Sequence, residues 1–294
     1  MKILVIGGTR YFGKKVVEKF LNSGDTVTIL TRGQTKDDFK GNIKRIVSDR
    51  RDFEKLKLLT KNLFWDIILD QQCMNANDAK ISNDVFFDKT NHYVMTSSVS
   101  VYNLGPNIKE NKFDPYDFQF TQIANETENY QEAKRQAEAT FAKAKKFPLT
   151  FIRPPIVLGM EDHSGRLEFH IKHVLENKPI YFPNIESHIS FIHSEEAANS
   201  IFEVCKSSLA LGPLNIASPK PVSLRNLMNL IEQSTSSIPK YHLNPDKHSW
   251  SPFGIESDWY VDVSKALSKG LKFSDTESWL PQLIEKMKEK IIKK

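Results

Sequence analysis

A tyrosine and a lysine four positions apart are the side chains of this sequence best suited to proton transfer. Tyr130 and Lys134 fall in a stretch rich in Ala, Glu, Lys and Gln, which predicts a helix with both side chains on one face. A neighbouring ammonium stabilises a phenolate, which makes the phenol a better proton shuttle at neutral pH. Ser98 ends an earlier predicted strand, where its hydroxyl can hydrogen-bond the substrate oxygen whose proton Tyr130 transfers. On a lysine-rich helix the pair can also arise by coincidence.

A glycine-rich turn near the start of the chain is the second candidate site. Residues 3–6 form an unbroken apolar run, as in a parallel strand buried on both faces, and an amphipathic helix follows the turn. Without a side chain at Gly7 a pyrophosphate can approach the backbone, Gly13 allows helix and strand to pack closely, and the free N–H groups of the helix face the phosphates. Many such turns carry glycine for geometry alone, but the flanking strand and helix favour a dinucleotide site. Its predicted residues are Gly7, Gly8, Thr9, Arg10, Tyr11, Phe12 and Gly13.

Apolar strands and amphipathic helices alternate along most of the chain. This alternation predicts an α/β fold, a Rossmann-type doubly wound parallel sheet that binds ligands at the C-terminal ends of its strands. Residues 105–125 have no clear period and are predicted to form a loop over the edge of the active site. The predicted strands cover residues 3–6, 26–31, 43–47, 66–70, 92–96 and 149–159, the last with its turn. The predicted helices follow Gly13 and cover 53–63, 77–89, 128–146, 166–176, 194–206, 223–233 and 277–292.

Domain boundaries are placed where the alternation becomes less regular, beyond residue 159. We expect an NAD(P)-binding Rossmann domain over residues 1–160, with residues 186–217 returning to it. Residues 161–185 and 218–294 are expected to form a smaller substrate-binding part.

Composition narrows the class of protein. With 294 residues, 39% of them hydrophobic and 26% charged, the chain has the make-up of a soluble globular protein. No stretch approaches the ~18 apolar residues of a membrane span and no cleavable signal precedes the first strand, so we expect a cytoplasmic protein without membrane contact. Cys73 and Cys205 are too few for a disulfide framework, and the eight histidines show no metal-binding pattern, so no metal is expected. A net charge of +5 neither requires nor excludes nucleic-acid binding.

These motifs together resemble the extended branch of the short-chain dehydrogenase/reductase superfamily, the NAD(P)-dependent epimerases and dehydratases. Residues 7–13 match the family's GxxGxxG turn, residues 96–102 match its serine-containing strand end, and Tyr130 with Lys134 matches YxxxK. The resemblance continues nearly to the end of the chain. Later stretches similar to family landmarks are 151–159, 191–198, 214–218 and 262–266.

The resemblance implies an enzyme that binds NADP, or NAD as the alternative, and moves hydride to and from a sugar nucleotide or a similar polyol or carbonyl compound. Ser98, Tyr130 and Lys134 would form its catalytic set, and Lys134 would also hold the nicotinamide ribose. Epimerisation, dehydration and carbonyl reduction all stay open. Arg166 would neutralise a substrate diphosphate or form a surface salt bridge. The alternative hypothesis is a non-enzymatic dinucleotide-binding module, either RNA-associated or redox-sensing.

Cofactor choice depends on the end of the second strand, where an acid normally binds the ribose hydroxyls of NAD. The chain has Thr31, Arg32 and Gly33 there. Arg32 together with Arg10 can hold a 2′-phosphate, which makes NADP the expected cofactor. Arg32 as a solvated loop residue is the alternative. Asp49 resembles the family position that contacts adenine, with N-capping of the following helix as its alternative role.

Three departures from the family pattern bear on function. Arg10 replaces the middle glycine of the turn, where the backbone comes closest to the cofactor. About 22 residues separate Asp70 from the fifth strand, too few for the long crossover helix that serves the family's usual dimer, so the oligomeric state stays open. Ser98 and Tyr130 are 32 positions apart, which is longer than usual.

Asp70 and His193 are expected to have hydrogen-bonded structural roles.

Overall fold

The structure is a computed structural model that describes residues 1–207 and 209–293. In chain order its strands are β1 (Lys2–Ile6), β2 (Thr26–Thr31), β3 (Ile43–Val47), β4 (Trp65–Asp70), β5 (Thr90–Thr96), β6 (Gly105–Ile108), β7 (Leu149–Arg153), β8 (Ile156–Leu158), β9 (Pro179–Ile180), β10 (His188–Ile189), β11 (Phe191–His193), β12 (Gly212–Asn215), β13 (Val222–Ser223), β14 (Lys240–Tyr241) and β15 (Trp259–Val261). Its helices are α1 (Tyr11–Asn22), α2 (Phe53–Leu59), α3 (Ala76–Phe86), α4 (Tyr130–Ala144), α5 (Arg166–Leu175), α6 (Ser194–Ser207), α7 (Leu224–Thr235), α8 (Ser264–Ser268) and α9 (Thr276–Ile292). Among these helices, none is long and apolar enough to cross a membrane.

The largest sheet within the described residues has seven parallel strands, in the order β12-β7-β5-β4-β1-β2-β3. β1 lies between β2 and β4, and its apolar side chains are buried on both faces of the sheet. Ile3 and Val5 share a core with Phe20 of α1, whereas Leu4 shares one with Phe141 of α4. Helices therefore cover both faces, and the prediction of a doubly wound Rossmann-type sheet is confirmed.

The second half of the chain contributes both to this sheet and to a separate core. β12 pairs with β7 at the sheet edge, and α6 packs on α1, with the ring centres of Phe202 and Phe20 5.4 Å apart. α5, α7 and α9 surround another core, which includes Leu167, Leu227 and Ile284. Beside it lies a sheet with the strand order β13-β10-β15-β6. The domain boundaries given above stay predictions.

Several predicted elements differ from the structure in detail, among them α3, which ends at Phe86 rather than at residue 89. Residues 105–125 are not only a loop, because they contain β6, which pairs with the distant β15, and a 3-10 turn at Glu110–Lys112. The predicted strand at 149–159 is divided, because Pro154 and Pro155 lack the N–H groups that a sheet ladder needs. Its second piece is β8, which pairs with β11 outside the large sheet. α2 ends at Leu59 rather than at residue 63.

Candidate active site

A cavity of about 610 Å³ opens at the C-terminal ends of β1, β2, β3 and β4. This is the edge at which a doubly wound sheet binds its ligands. The predicted cofactor residues that line it are Gly7, Gly8, Thr9, Arg10, Tyr11, Phe12, Gly13, Arg32 and Asp49. Lining residues that the sequence analysis did not single out for this cavity include Arg50, Arg51, Gln71, Gln72, Met74, Asp78 and His163.

The glycines of the turn occupy positions that leave no room for a side chain. Gly7 and Gly8 have φ angles of +93° and +81°, in the left-handed region that L-residues avoid. A Cβ on Gly8 would lie 2.7 Å from Cγ1 of Val5, and one on Gly13 would lie 2.3 Å from Oε1 of Gln71 and 3.3 Å from Cα of Gly8. The turn is therefore packed against the sheet and against the chain that follows β4.

Arg10 occupies the position of the family's middle glycine without strain. Its φ of −139° is extended backbone that any residue adopts, and it precedes the first residue of α1. The unusual backbone lies at Tyr11 instead, with φ +54°, a conformation that costs about 1–3 kcal/mol in a residue other than glycine. The Tyr11 ring contacts His163 edge-on, with ring centres 6.0 Å apart. Its hydroxyl is buried without a partner in the described chain, and burial raises the pKa of this group.

The two arginines predicted to select NADP both lie exposed on the cavity wall. Neither Arg10 nor Arg32 forms an ion pair with any residue that the structure describes. Their guanidinium groups thus remain available to an anion. Asp49 is also exposed and accepts a hydrogen bond from the backbone N–H of Arg51 at 2.8 Å. The N-cap alternative for Asp49 is wrong, because Asp52 caps α2 by accepting from the N–H of Lys55 at 3.2 Å.

A buried network of charged side chains supports the wall next to β3 and β4. Arg50 donates to both carboxylate oxygens of Asp70, at 3.1 and 2.9 Å, and Tyr93 donates to the same carboxylate at 2.7 Å. Arg50 also donates to the Ser82 hydroxyl at 2.6 Å. The hydrogen-bonded structural role expected for Asp70 is confirmed.

A second chain of contacts ties the cavity wall to the segment that precedes α4. Arg51 donates from Nε to Asp78 at 2.8 Å and from Nη2 to Glu126 at 2.6 Å. Asn75 donates to the other oxygen of Glu126, also at 2.6 Å. The hydrogen bonds from Arg51 and then Asn75 lower the pKa of Glu126 to about 2, so this carboxylate stays charged. Glu126 therefore anchors the chain just ahead of Tyr130.

The predicted proton-transfer residues lie at the end of β5 and the start of α4. Tyr130 is the first residue of α4 and is 40% exposed, and the preceding Asn129 caps the helix. Lys134 is buried and donates from Nζ to the backbone oxygen of Cys73 at 2.7 Å and to that of Thr96 at 3.2 Å. Its Nζ lies 5.8 Å from the centre of the Tyr130 ring. Lys134 thus holds α4 against the ends of both β4 and β5.

Ser98 follows β5 by two residues and faces its own turn. Its Oγ accepts from the backbone N–H of Ser100 at 3.1 Å. Ser98, Tyr130 and Lys134 do not line the 610 Å³ cavity, but Cys73, whose carbonyl binds Lys134, lies between two residues that do. The predicted catalytic set is therefore adjacent to the cavity.

Hydrogen bonds hold the start of α4 against the turn that carries Ser98, in spite of the long separation in sequence. Gln131 donates to the backbone oxygen of Tyr102 at 2.6 Å, and Arg135 donates to that of Val101 at 2.7 Å. A fully buried ion pair between Arg153 and Glu138 then joins α4 to β7, with Nε and Oε1 3.0 Å apart.

The remaining candidates do not line this cavity. Arg166 begins α5, is exposed, and forms no ion pair with the described residues, which leaves the surface salt bridge without support. His193 accepts from the N–H of Glu195 at 3.3 Å and packs against Trp279, in line with a structural role. Among residues 1–207 and 209–293 no three His, Cys, Asp or Glu side chains are grouped so as to hold a metal ion.

Comparison with known proteins finds similarity both in sequence and in structure. No family model matches the chain. The chloroplast stem-loop binding protein of 41 kDa b from Arabidopsis thaliana is 24% identical over 90% of this chain and 73% of its own length. By structure the chain is similar to dTDP-glucose 4,6-dehydratase from Bacillus anthracis, solved in complex with NAD, with a TM-score of 0.74, 15% identity, and 99% of this chain and 97% of that one covered.

The same likeness extends to sugar-nucleotide epimerases. UDP-glucose 4-epimerase from Thermotoga maritima, solved with UDP-glucose, superposes with a TM-score of 0.70 and 17% identity over 100% of this chain and 99% of that one. The Thermus thermophilus UDP-glucose 4-epimerase, solved with NAD, gives 0.68 and 15%, with 98% of both chains covered. These similarities span the whole sheet and the C-terminal part. The chain thus has the same fold as these sugar-nucleotide epimerases and this dehydratase.

Proposed function

We propose that this protein is an NAD(P)-dependent enzyme of the epimerase/dehydratase type, acting on a sugar nucleotide or a similar polyol or carbonyl compound. The observation that carries the proposal is the position of Lys134. Its ammonium binds the carbonyl of Cys73 at the cavity edge and that of Thr96 at the end of β5, and it lies beneath the ring of Tyr130. One buried cation therefore connects the proposed cofactor site to the proposed acid–base residue.

The cavity residues suit a dinucleotide. The glycine turn leaves space where Cβ atoms would clash, and the free N–H groups of α1 open onto the same space. Tyr11 Oη and Gln71 Nε2 are buried polar atoms without partners in the described chain, and both residues line the cavity. We propose that the turn holds the phosphates, that Asp49 contacts adenine, and that Lys134 binds the nicotinamide ribose. The dinucleotide, when bound, would supply the acceptor and donor of hydride.

The three catalytic residues divide the work of moving a proton. Tyr130 takes the proton from the substrate hydroxyl, and Ser98 donates a hydrogen bond to the same oxygen. Lys134 has three N–H donors, of which two are bound to backbone carbonyls, so the third remains for the ribose. Its charge also stabilises the Tyr130 phenolate. Arg166, exposed at the start of α5, is proposed to meet a substrate diphosphate.

The comparisons support the substrate class. The similar structures include an epimerase solved with UDP-glucose and a dehydratase of dTDP-glucose. A sugar nucleotide is accordingly the first ligand to test. The cytoplasmic location expected from the sequence belongs to this proposal as well.

We expect NADPH to bind more tightly than NADH. Arg10 and Arg32 lie on the cavity wall without an ion pair to any described residue, and no acid at the end of β2 competes for the ribose hydroxyls. Each charge-assisted contact to a 2′-phosphate contributes ~1.5–3 kcal/mol, which predicts a preference of roughly tenfold or more. Calorimetric titration of both cofactors measures it, and Arg32→Ala should reduce the ratio.

Arg45→Ala is the matched control for the preference. Arg45 is also an exposed arginine, on β3, but it pairs with Asp37 and does not line the cavity. Equal affinities of the wild type for NADPH and NADH, or a ratio of the two affinities that Arg32→Ala and Arg45→Ala change alike, would contradict the assignment of NADP.

The activity itself is tested by product analysis over a panel of UDP- and dTDP-sugars, each with NADP and NAD, and of simple carbonyl compounds, each with NADPH and NADH. The proposal predicts conversion of at least one sugar nucleotide. A folded protein that binds NADPH yet converts none of them would favour the second candidate.

The second candidate is a dinucleotide-regulated nucleic-acid-binding protein. The curated relative, which covers 90% of this chain, is named for stem-loop binding, and the net charge of +5 is compatible with an anionic partner. Titration of a labelled RNA stem-loop, with and without NADPH, tests it. Stem-loop binding in competition with NADPH, together with absent turnover, would make this the better account.

A further inference from the structure

Two glutamines directly after β4 lie against the glycine turn. Oε1 of Gln71 is 2.3 Å from the point where a Cβ on Gly13 would stand. Cγ of Gln72 is 2.7 Å from the corresponding point on Gly7. Because β4 is the neighbour of β1 in the sheet, the residues that follow both strands meet at the cavity. The glutamine side chains fill the space that the glycines leave on that side.

The two ends of the Gln71 amide have different surroundings. Its oxygen packs at Gly13, whereas its Nε2 is buried and has no hydrogen-bond partner among the described residues. A buried donor without a partner is costly to retain unless a ligand completes it. The two N–H bonds of Nε2 can only donate, so the group that completes them is an acceptor.

The surroundings of Gln71 favour an anionic acceptor. The amino-terminal N–H groups of α1 present positive potential to the same cavity. Arg10 and Arg32 add charges to its wall that pair with no residue in the described part of the chain. The carboxylate of Asp78, also on the wall, is already bound by Arg51 and by the N–H of Met74.

We infer that the Gln71 carboxamide donates a hydrogen bond to the diphosphate of the bound dinucleotide and so selects for ligands that carry a diphosphate. This inference rests on the proposed dinucleotide function of the cavity. It assigns Gln71, a residue outside the GxxGxxG turn that lies against Gly13 of α1, to binding the diphosphate.

Calorimetric titrations with NADPH, ADP and adenosine test the assignment. Gln71→Leu should weaken NADPH and ADP binding by roughly tenfold or more, because it removes the donor, and should leave adenosine binding unchanged. Gln71→Glu keeps the shape and places a negative charge at the diphosphate, so a larger loss, on the order of a hundredfold, is expected. Because Gln71→Glu is close to isosteric, it serves if the leucine variant fails to fold.

Gln233→Leu, an exposed position on α7, is the matched control and should bind all three ligands like the wild type. If the wild type binds NADPH and a folded Gln71→Leu or Gln71→Glu protein binds it with unchanged affinity, the inference is overturned. It is also overturned if the variants lose as much affinity for adenosine as for NADPH. A wild-type protein that binds neither NADPH nor ADP would overturn the proposed function instead.

Discussion

Replacing Tyr130 with phenylalanine should remove nearly all turnover and leave the fold intact. The substitution deletes one hydroxyl from a side chain that is 40% exposed, so the free energy of unfolding should change little. If Tyr130 is the acid–base group, the rate should fall roughly a hundredfold to ten-thousandfold. Cofactor affinity should survive, because the ribose is assigned to Lys134. Product formation, calorimetric NADPH titration and thermal unfolding of both proteins provide the three readouts.

The companion variant Lys134→Met separates the roles of the pair. It removes the ribose contact and the charge that stabilises the phenolate, so both cofactor affinity and turnover should fall. The structure adds a cost in stability, of about 1–3 kcal/mol, because the backbone oxygens of Cys73 and Thr96 lose a donor. Lys143→Met, further along α4 and exposed, is the control that should change none of these. A Tyr130→Phe enzyme as fast as the wild type would refute the mechanism.

Placing valine at Gly13 should abolish dinucleotide binding. The new Cβ would stand 2.3 Å from Oε1 of Gln71 and 3.3 Å from Cα of Gly8. The glutamine side chain can move, but the backbone of Gly8 is fixed by the turn. The branched side chain also crowds the amino terminus of α1, where the phosphates are proposed to bind. Calorimetric NADPH titration should show no measurable binding.

Gly105→Val is the matched control for the turn. A Cβ on Gly105 meets only Ile108, at an ordinary 3.8 Å, and valine suits a strand such as β6. That variant should bind NADPH normally. A folded Gly13→Val protein with undiminished NADPH affinity would mean that the dinucleotide lies elsewhere.

The local sequence predicts an element best when the residues of that element themselves favour its secondary structure. β2 and β3 begin and end at the predicted residues, because short β-branched runs between turns are strands in any arrangement of the sheet. β6 was not predicted, because its own residues do not favour a strand. Its sequence, Gly-Pro-Asn-Ile, has low strand propensity, and it is extended because it pairs with β15 far along the chain. Such pairing carries no local signal.

The same distinction holds for the residues of the candidate site. The glycine turn, Arg32 and Asp49 all line one cavity, as expected of residues at adjacent strand ends. Gln71 and Arg50 were missed as cavity residues because their contribution depends on which strands are neighbours. A usable signal was present, since polar residues directly after β4 must reach the ligand edge once β4 is placed beside β1. The assigned roles of these residues stay predictions until they are tested.

The central claim is that this cavity and the Ser98, Tyr130 and Lys134 set carry out hydride chemistry on a sugar nucleotide. A single-turnover experiment tests it most directly, with protein in excess, bound NADP, and each UDP- or dTDP-sugar of the panel. Nicotinamide absorbance and chromatographic product analysis would be followed together. We predict, for at least one sugar, a transient of reduced nicotinamide followed by product with the wild type, and neither with Tyr130→Phe. The claim would be contradicted if the wild type and Tyr130→Phe formed product equally. It would also be contradicted if neither protein formed product although both bind NADPH.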